Sequence, residues 1–118
     1  MKLRNLFELF GIHARTKQYK YSVREFNLQN DTTVKYATWL HPSEFQKSIT
    51  DEQVSAYKEF LSPGDFCIDI GAHSGDSTIP MALVVGLNGC ALALEPNPFV
   101  YHVLEKNART NQHLVNVK

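Results

Sequence analysis

The segment Phe66–Thr78, FCIDIGAHSGDST, gathers the residues best suited to chemistry. A short apolar run ends at Asp69 and Ile70, and a turn of small residues then opens a helix. Gly71 permits backbone angles closed to other residues and lets a ligand approach the main chain. Gly75 lets the turn meet a helix closely. The amides of Asp76, Ser77 and Thr78 fall at a helix N-terminus, where partial positive charge accumulates. Such a turn holds a nucleoside-like ligand at the carboxyl ends of parallel strands.

Two carboxylates narrow the ligand. Asp69 stands just before the turn, where it repels a pyrophosphate but can bind an amino group. Glu95 ends the next apolar run, at the place where a carboxylate accepts both hydroxyls of a ribose. The Gly-x-Gly-x-x-Gly spacing of a dinucleotide site is absent. A ligand with a cationic amino-acid part and a ribose fits, and S-adenosylmethionine is that ligand. A purely structural Asp69, capping loop amides, is the competing reading; Glu95 at the matching place on the next strand favours ligand binding.

Other candidates are less decisive. His73 can touch the cofactor, act as a base on an acceptor hydroxyl, or face water, and nothing in the sequence places a substrate near it. Trp39, His41 and Pro42 read first as a packed strand end followed by a turn, and second as part of an acceptor pocket. Ser77 and Thr78 are expected to satisfy helix-start amides, since no Ser-His-Asp arrangement is present. No catalytic base emerges. Cys67 and Cys90 lie in strand-like runs without metal-ligating neighbours, which reads as buried reduced thiols of a cytoplasmic protein with no metal.

The elements that must position these groups follow from pattern. Leu3, Leu6, Phe7 and Phe10 share a helical face, so the start reads as a short amphipathic helix. Tyr19–Leu28 and Thr33–Leu40 are strand-like around the turn chemistry of Gln29–Thr32, which makes a β-hairpin. Tyr19, Tyr21 and Val23 occupy one phase of the first run and Phe26 and Leu28 the other, so a bulge near Arg24–Glu25 is expected. A lid over the cofactor side is the working role for this hairpin. Thr50–Gln53 is a capping box that starts a helix with Val54, Tyr57 and Leu61 on one face, ended by Pro63-Gly64.

From Phe66 the pattern changes. Phe66–Ile70 lacks polar alternation and reads as a strand buried on both faces of a parallel sheet. Asp76–Val85 is a helix stopped by Gly86, with Pro80 tolerated near its start. Cys90–Leu94 is a second buried strand. Asn97 caps and Pro98 opens another helix, with Val100, Val103, Leu104 and Ala108 on its apolar face. Leu114–Val117 begins a third strand. The order is β-α-β-α-β, the start of a doubly wound α/β sheet. Residues 1–62 thus form a helix, hairpin and capping helix, and 63–118 the first half of a Rossmann-like domain.

Asp-Ile-Gly-Ala-His-Ser-Gly-Asp-Ser-Thr followed by Ala-Leu-Glu-Pro-Asn-Pro resembles the S-adenosylmethionine site of class I methyltransferases. Glu95-Pro96-Asn97-Pro98, His41-Pro42 and the helix end at Asn107–Asn111 most resemble the FkbM family, over about residues 35 to 118. The resemblance implies that Asp69, Gly71 and Ala72 hold the methionine part, that Glu95 holds the ribose hydroxyls, and that Asn97 lies near the adenine. His73 and Gly75 complete the cofactor turn. It also implies O-methylation of a sugar or natural-product hydroxyl, with a small-molecule or glycan acceptor. The common motif has a third glycine where this chain has His73, which leaves the role of that histidine open.

Composition bounds the rest. The chain has 118 residues, 43% hydrophobic, with 12 basic and 12 acidic side chains, enough for one small folded domain. Zero formal charge excludes a strongly basic nucleic-acid binder. The longest apolar stretch, around Met81–Val85, is too short for a membrane span. A complete sheet of this kind would pair Phe66–Ile70 with a further strand on its far side. The chain therefore reads as the N-terminal part of a methyltransferase, inactive alone. The alternatives are a nucleoside-binding module and a subunit that pairs through an exposed sheet edge.

Overall fold

A computed structural model describes residues 17–118; the amphipathic helix expected around Leu3–Phe10 lies outside the described residues. The hairpin forms as β1 (Tyr21–Leu28) and β2 (Thr32–Trp39). Asn30 and Asp31 turn the chain at φ of 58° and 55°, a left-handed conformation that short polar side chains tolerate. Pairing runs unbroken from Tyr21↔Trp39 to Leu28↔Thr32, so the expected bulge at Arg24–Glu25 is absent. None is needed: Tyr21 and Val23 are exposed, within β1 only Phe26 and Leu28 pack on the core, on the opposite face, and Tyr19 packs against the Trp39 cluster before the strand begins.

β2 is the buried strand. Val34 and Tyr36 enter a core with Ile49, Ile79, Ala82, Ala91 and Val115. Ala37 and Trp39, on its other face, pack against Val100 and Val103. β2 is thus part of the core on both faces, which does not suit the lid expected of the hairpin. α1 (Asp51–Tyr57) carries both halves of the capping box, Gln53 N–H donating to Thr50 Oγ1 at 3.3 Å and Thr50 N–H to Gln53 Oε1 at 2.9 Å. It ends well before Pro63, where Glu59 and Phe60 tighten onto the carbonyls three residues back.

β3 (Phe66–Ile70) and β4 (Cys90–Leu94) pair in parallel, Phe66 opposite Cys90 and Ile70 opposite Leu94. α2 (Thr78–Val85) crosses between them. It starts two residues later than the sequence implied, with Pro80 in its first turn and Gly86 at its end. α3 (Pro98–Thr110) begins as expected, Asn97 Oδ1 accepting from Phe99 N–H at 3.0 Å. The third strand starts later than Leu114. The Asn111 carbonyl holds the N–H groups of both Leu114 and Val115, so the chain reaches β4 only at a bridge between Val117 and Ala91.

The expectation that β3 is buried on both faces is not met. Cys67, Ala91 and Val117 face α2 and the hairpin. On the other side Phe66, Ile68, Ile70 and Leu94 stay exposed, Ile70 at 82%. Among the described residues β3 pairs with β4 alone, and its far edge is free. The apolar run without alternation marked a strand made for two covers, and only one is described.

Two asparagines join α3 to the hairpin. Asn107 accepts from Ala37 N–H at 2.6 Å and donates to the carbonyls of Ala37 and Ser74 at 2.9 and 2.7 Å. Asn111 does the same at Lys35, accepting at 3.0 Å and donating at 2.8 Å. Spaced one helical turn apart, the amides satisfy alternate residues along β2 as a neighbouring strand would. No helix among the described residues is long and apolar enough to cross a membrane.

Candidate functional site

The turn between β3 and α2 sits where its sequence placed it. Gly71 and Ala72 fold over the end of β4, both amides donating to the Leu94 carbonyl, at 2.8 and 3.0 Å. Their N–H groups are therefore spent inside the protein. Gly71 holds φ of 80°, and a Cβ added there would meet nothing within 4 Å, so its outer surface is open. Gly75 differs. At φ of 95° its missing Cβ would come within 2.9 Å of Leu104 Cδ1, so this glycine brings the turn against α3.

The two carboxylates expected to bind a ligand are both pre-oriented. Glu95 accepts from His73 N–H at 2.8 Å and from Asn97 N–H at 2.7 Å, one donor on each oxygen. A carboxylate oxygen has two acceptor directions, so one on each remains for a diol. Asp69 Oδ2 accepts from Thr78 Oγ1 at 2.6 Å, and no protein donor engages Oδ1 among the described residues. Thr78 thus serves Asp69 rather than a helix amide, and Ser77 makes no side-chain cap. The Asn97 side chain is spent on capping α3.

His73 departs most from expectation. Its ring keeps about a third of its surface exposed, yet both nitrogens are engaged. Nε2 lies 3.1 Å from Glu44 Oε2, while Nδ1 lies 3.0 Å from Lys47 Nζ and 3.2 Å from Ser74 Oγ. A carboxylate only accepts and an ammonium only donates, so this geometry assigns the tautomer with the proton on Nε2. Lys47 also pairs with Asp76 at 2.7 Å. Behind Ser74, whose hydroxyl lies 2.7 Å from the Tyr36 hydroxyl, the network ends in the core. Burial pushes the Tyr36 phenol well above its ordinary range, the Ser74 hydrogen bond pulling it back less strongly and the charges of Asp76 and Glu44 adding to the rise.

Glu44, Lys47, Tyr36 and Ser74 were not legible as parts of this site. The first two lie in a loop between β2 and α1, where no periodicity marks them. The Trp39–His41 stack, 4.6 Å between centroids with Tyr19 edge-on at 4.7 Å from His41, is the packed strand end expected. Cys67 and Cys90 are free, half-buried thiols, and burial raises the Cys67 thiol, with smaller contributions from Cys90, Asp69 and Asp65. No cluster of metal-ligating side chains occurs among the described residues.

No family model and no curated protein matches the chain. Solved structures do. A candidate transferase of Pyrococcus horikoshii aligns with a TM-score of 0.57 at 15% identity, over 95% of this chain and 44% of that one. P. horikoshii TYW2 in complex with MeSAdo aligns at 0.58 and 17%, over 97% and 44%. M. jannaschii TYW2 in complex with AdoMet aligns at 0.52 and 22%, over 90% and 45%. The chain therefore shares the α/β fold of part of those structures. This chain spans less than half the length of those structures, and the likeness does not reach the FkbM family in particular.

Proposed function

We propose that the chain carries the cofactor half-site of an S-adenosylmethionine-dependent methyltransferase. The observation that carries this reading is Glu95, a carboxylate at the end of β4 held by two backbone N–H groups with one acceptor direction per oxygen left over. Two ribose hydroxyls fit that pattern. Asp69 Oδ1 takes the ammonium of the methionine part, and Gly71 offers an open main-chain surface beside it. Ala72 is buried, with its amide given to the Leu94 carbonyl and its own carbonyl to Gly75 N–H, so it shapes the turn and does not offer the ligand a polar group. Asn97 and Pro98 border the adenine. Carboxylates at Asp69 and Glu95 suit a ligand that bears a sulfonium and an ammonium. That the TYW2 structures hold AdoMet and MeSAdo supports the same ligand class.

Bound S-adenosylmethionine supplies a strongly electrophilic methyl group. What remains for a protein is to align an acceptor oxygen in line with it, exclude water and accept one proton. Both His73 nitrogens are engaged, Nε2 by Glu44 and Nδ1 by Lys47 and Ser74, so His73 is not assigned as the group that takes that proton. FkbM-type O-methylation of a sugar or natural-product hydroxyl is the acceptor chemistry we favour, on the Glu95–Pro98 and His41-Pro42 pattern.

Calorimetric titration of the chain with S-adenosylmethionine tests the reading, with Asp69→Ala as control. Saturable binding lost in the control supports it; a folded, monodisperse chain that does not bind overturns it. A second reading is favoured by the free β3 edge and the exposed Phe66, Ile68 and Ile70, namely that the chain acts by pairing with a partner polypeptide. Sedimentation that finds a monomer at every concentration for both the wild type and Ile68→Lys removes self-pairing from that reading.

A further inference from the structure

His73 holds φ of 51°, a left-handed backbone conformation that costs free energy for most residues with a Cβ. Glycine adopts it at no steric cost. The His73 ring lies between Glu44, at Nε2, and Lys47, at Nδ1. Both partners are sheltered: the Glu44 side chain is 8% exposed and that of Lys47 is 19%. The loop that carries them is tied down at each end, by buried Trp39 before it and buried Ile49 after it. Lys47 is fixed in turn by Asp76 at the far end of the same turn. The main-chain consequence is direct, because the left-handed backbone at residue 73 points its N–H at Glu95 Oε2.

We infer that Glu44 and Lys47 form a lock on the His73 ring that keeps the turn in a conformation glycine would take unaided, and that through the His73 amide they poise the Glu95 carboxylate. The lock rests on geometry; its value for a ribose rests on the function proposed above. Both are positioning residues, since they act on the ligand only through His73. Releasing the ring lets the backbone relax toward negative φ. The amide then leaves Glu95, and the carboxylate keeps only the Asn97 donor.

A double-mutant cycle tests the lock, because a glycine at position 73 makes the grip superfluous. Four proteins are compared: wild type, Lys47→Met, His73→Gly and the double variant. Without ligand, Lys47→Met should speed hydrogen exchange of the residue-73 amide by about tenfold in the histidine background and by less than about twofold in the glycine background. With S-adenosylmethionine, its loss of affinity should follow the same pattern, about tenfold against less than about twofold. Equal effects in the two backgrounds, or none in either, overturn the lock. Wild-type protein that shows the exchange pattern but binds no S-adenosylmethionine leaves the lock standing and overturns the cofactor reading. If Lys47→Met does not fold, Glu44→Leu runs the same cycle from the other side of the ring.

Discussion

β2 and β3 are both apolar strands, and the molecule treats them in opposite ways. β2 is covered on both faces, and its outer backbone edge is taken up by Asn107 and Asn111. β3 is covered on one face, and its outer edge has no partner among the described residues. Apolar content therefore does not decide which strand is finished; polar groups at the edge do. A strand whose N–H and C=O groups are matched by side-chain amides is closed to further pairing. β3, by contrast, is a template for another strand.

The sharpest way to break this comparison is Asn107→Leu. It leaves the Ala37 amide and the Ala37 and Ser74 carbonyls buried without partners. We expect a loss of about 3–5 kcal/mol in urea unfolding, and a loss under about 1 kcal/mol would show that the clamp is incidental. Next in size, Glu95→Ala should weaken S-adenosylmethionine binding by about 2 kcal/mol or more, since charge-assisted hydrogen bonds to a diol are lost. Equal affinity by calorimetry would remove Glu95 from the site.

Tyr36 gives the comparison a pH signature. Folding raises its phenol, so the unfolded chain releases that proton first, at about pH 10. Its contribution to stability is complete below that pH and declines as the pH rises further. Urea midpoints followed from about pH 9 to 11 should fall less steeply in Tyr36→Phe; parallel slopes would place the phenol in water. The smallest effect is expected on the bare face. Ile70→Ser should change stability by no more than about 0.5 kcal/mol, and a large loss there would mean that this face is already covered.

The legible parts of the molecule were those with a local cause. The capping box, the Asn97-Pro98 start, the Gly86 stop and the 29–32 turn are each fixed by residues within one turn of chain, and they formed as read. The places of Asp69, Gly71 and Glu95 at the strand ends and turn were legible because a strand–turn–helix unit has few ways to place them, while their role toward a ligand stays a proposal. The phase switch in β1 misled, because alternation implies a bulge only if both phases are buried. Asn107 and Asn111 did leave a trace: they continue the apolar stripe of Val100, Val103 and Leu104 as polar residues in buried positions. Glu44 and Lys47 left none, since nothing local tells a loop which turn it will grip.

The asparagine clamp also orders events in time. Ala37 and Asn107 are 70 residues apart, and Lys35 and Asn111 are 76 apart. During synthesis β2 leaves the ribosome before the helix that closes it, by an interval on the order of several seconds. Through that interval its outer edge is open and its faces lack the cover that the helix brings, whereas β3 keeps an open edge and one bare face among the described residues of the folded chain. A chaperone that binds extended apolar segments would find β2 early and β3 late, and arrest of synthesis before Asn107 should leave the hairpin sensitive to protease.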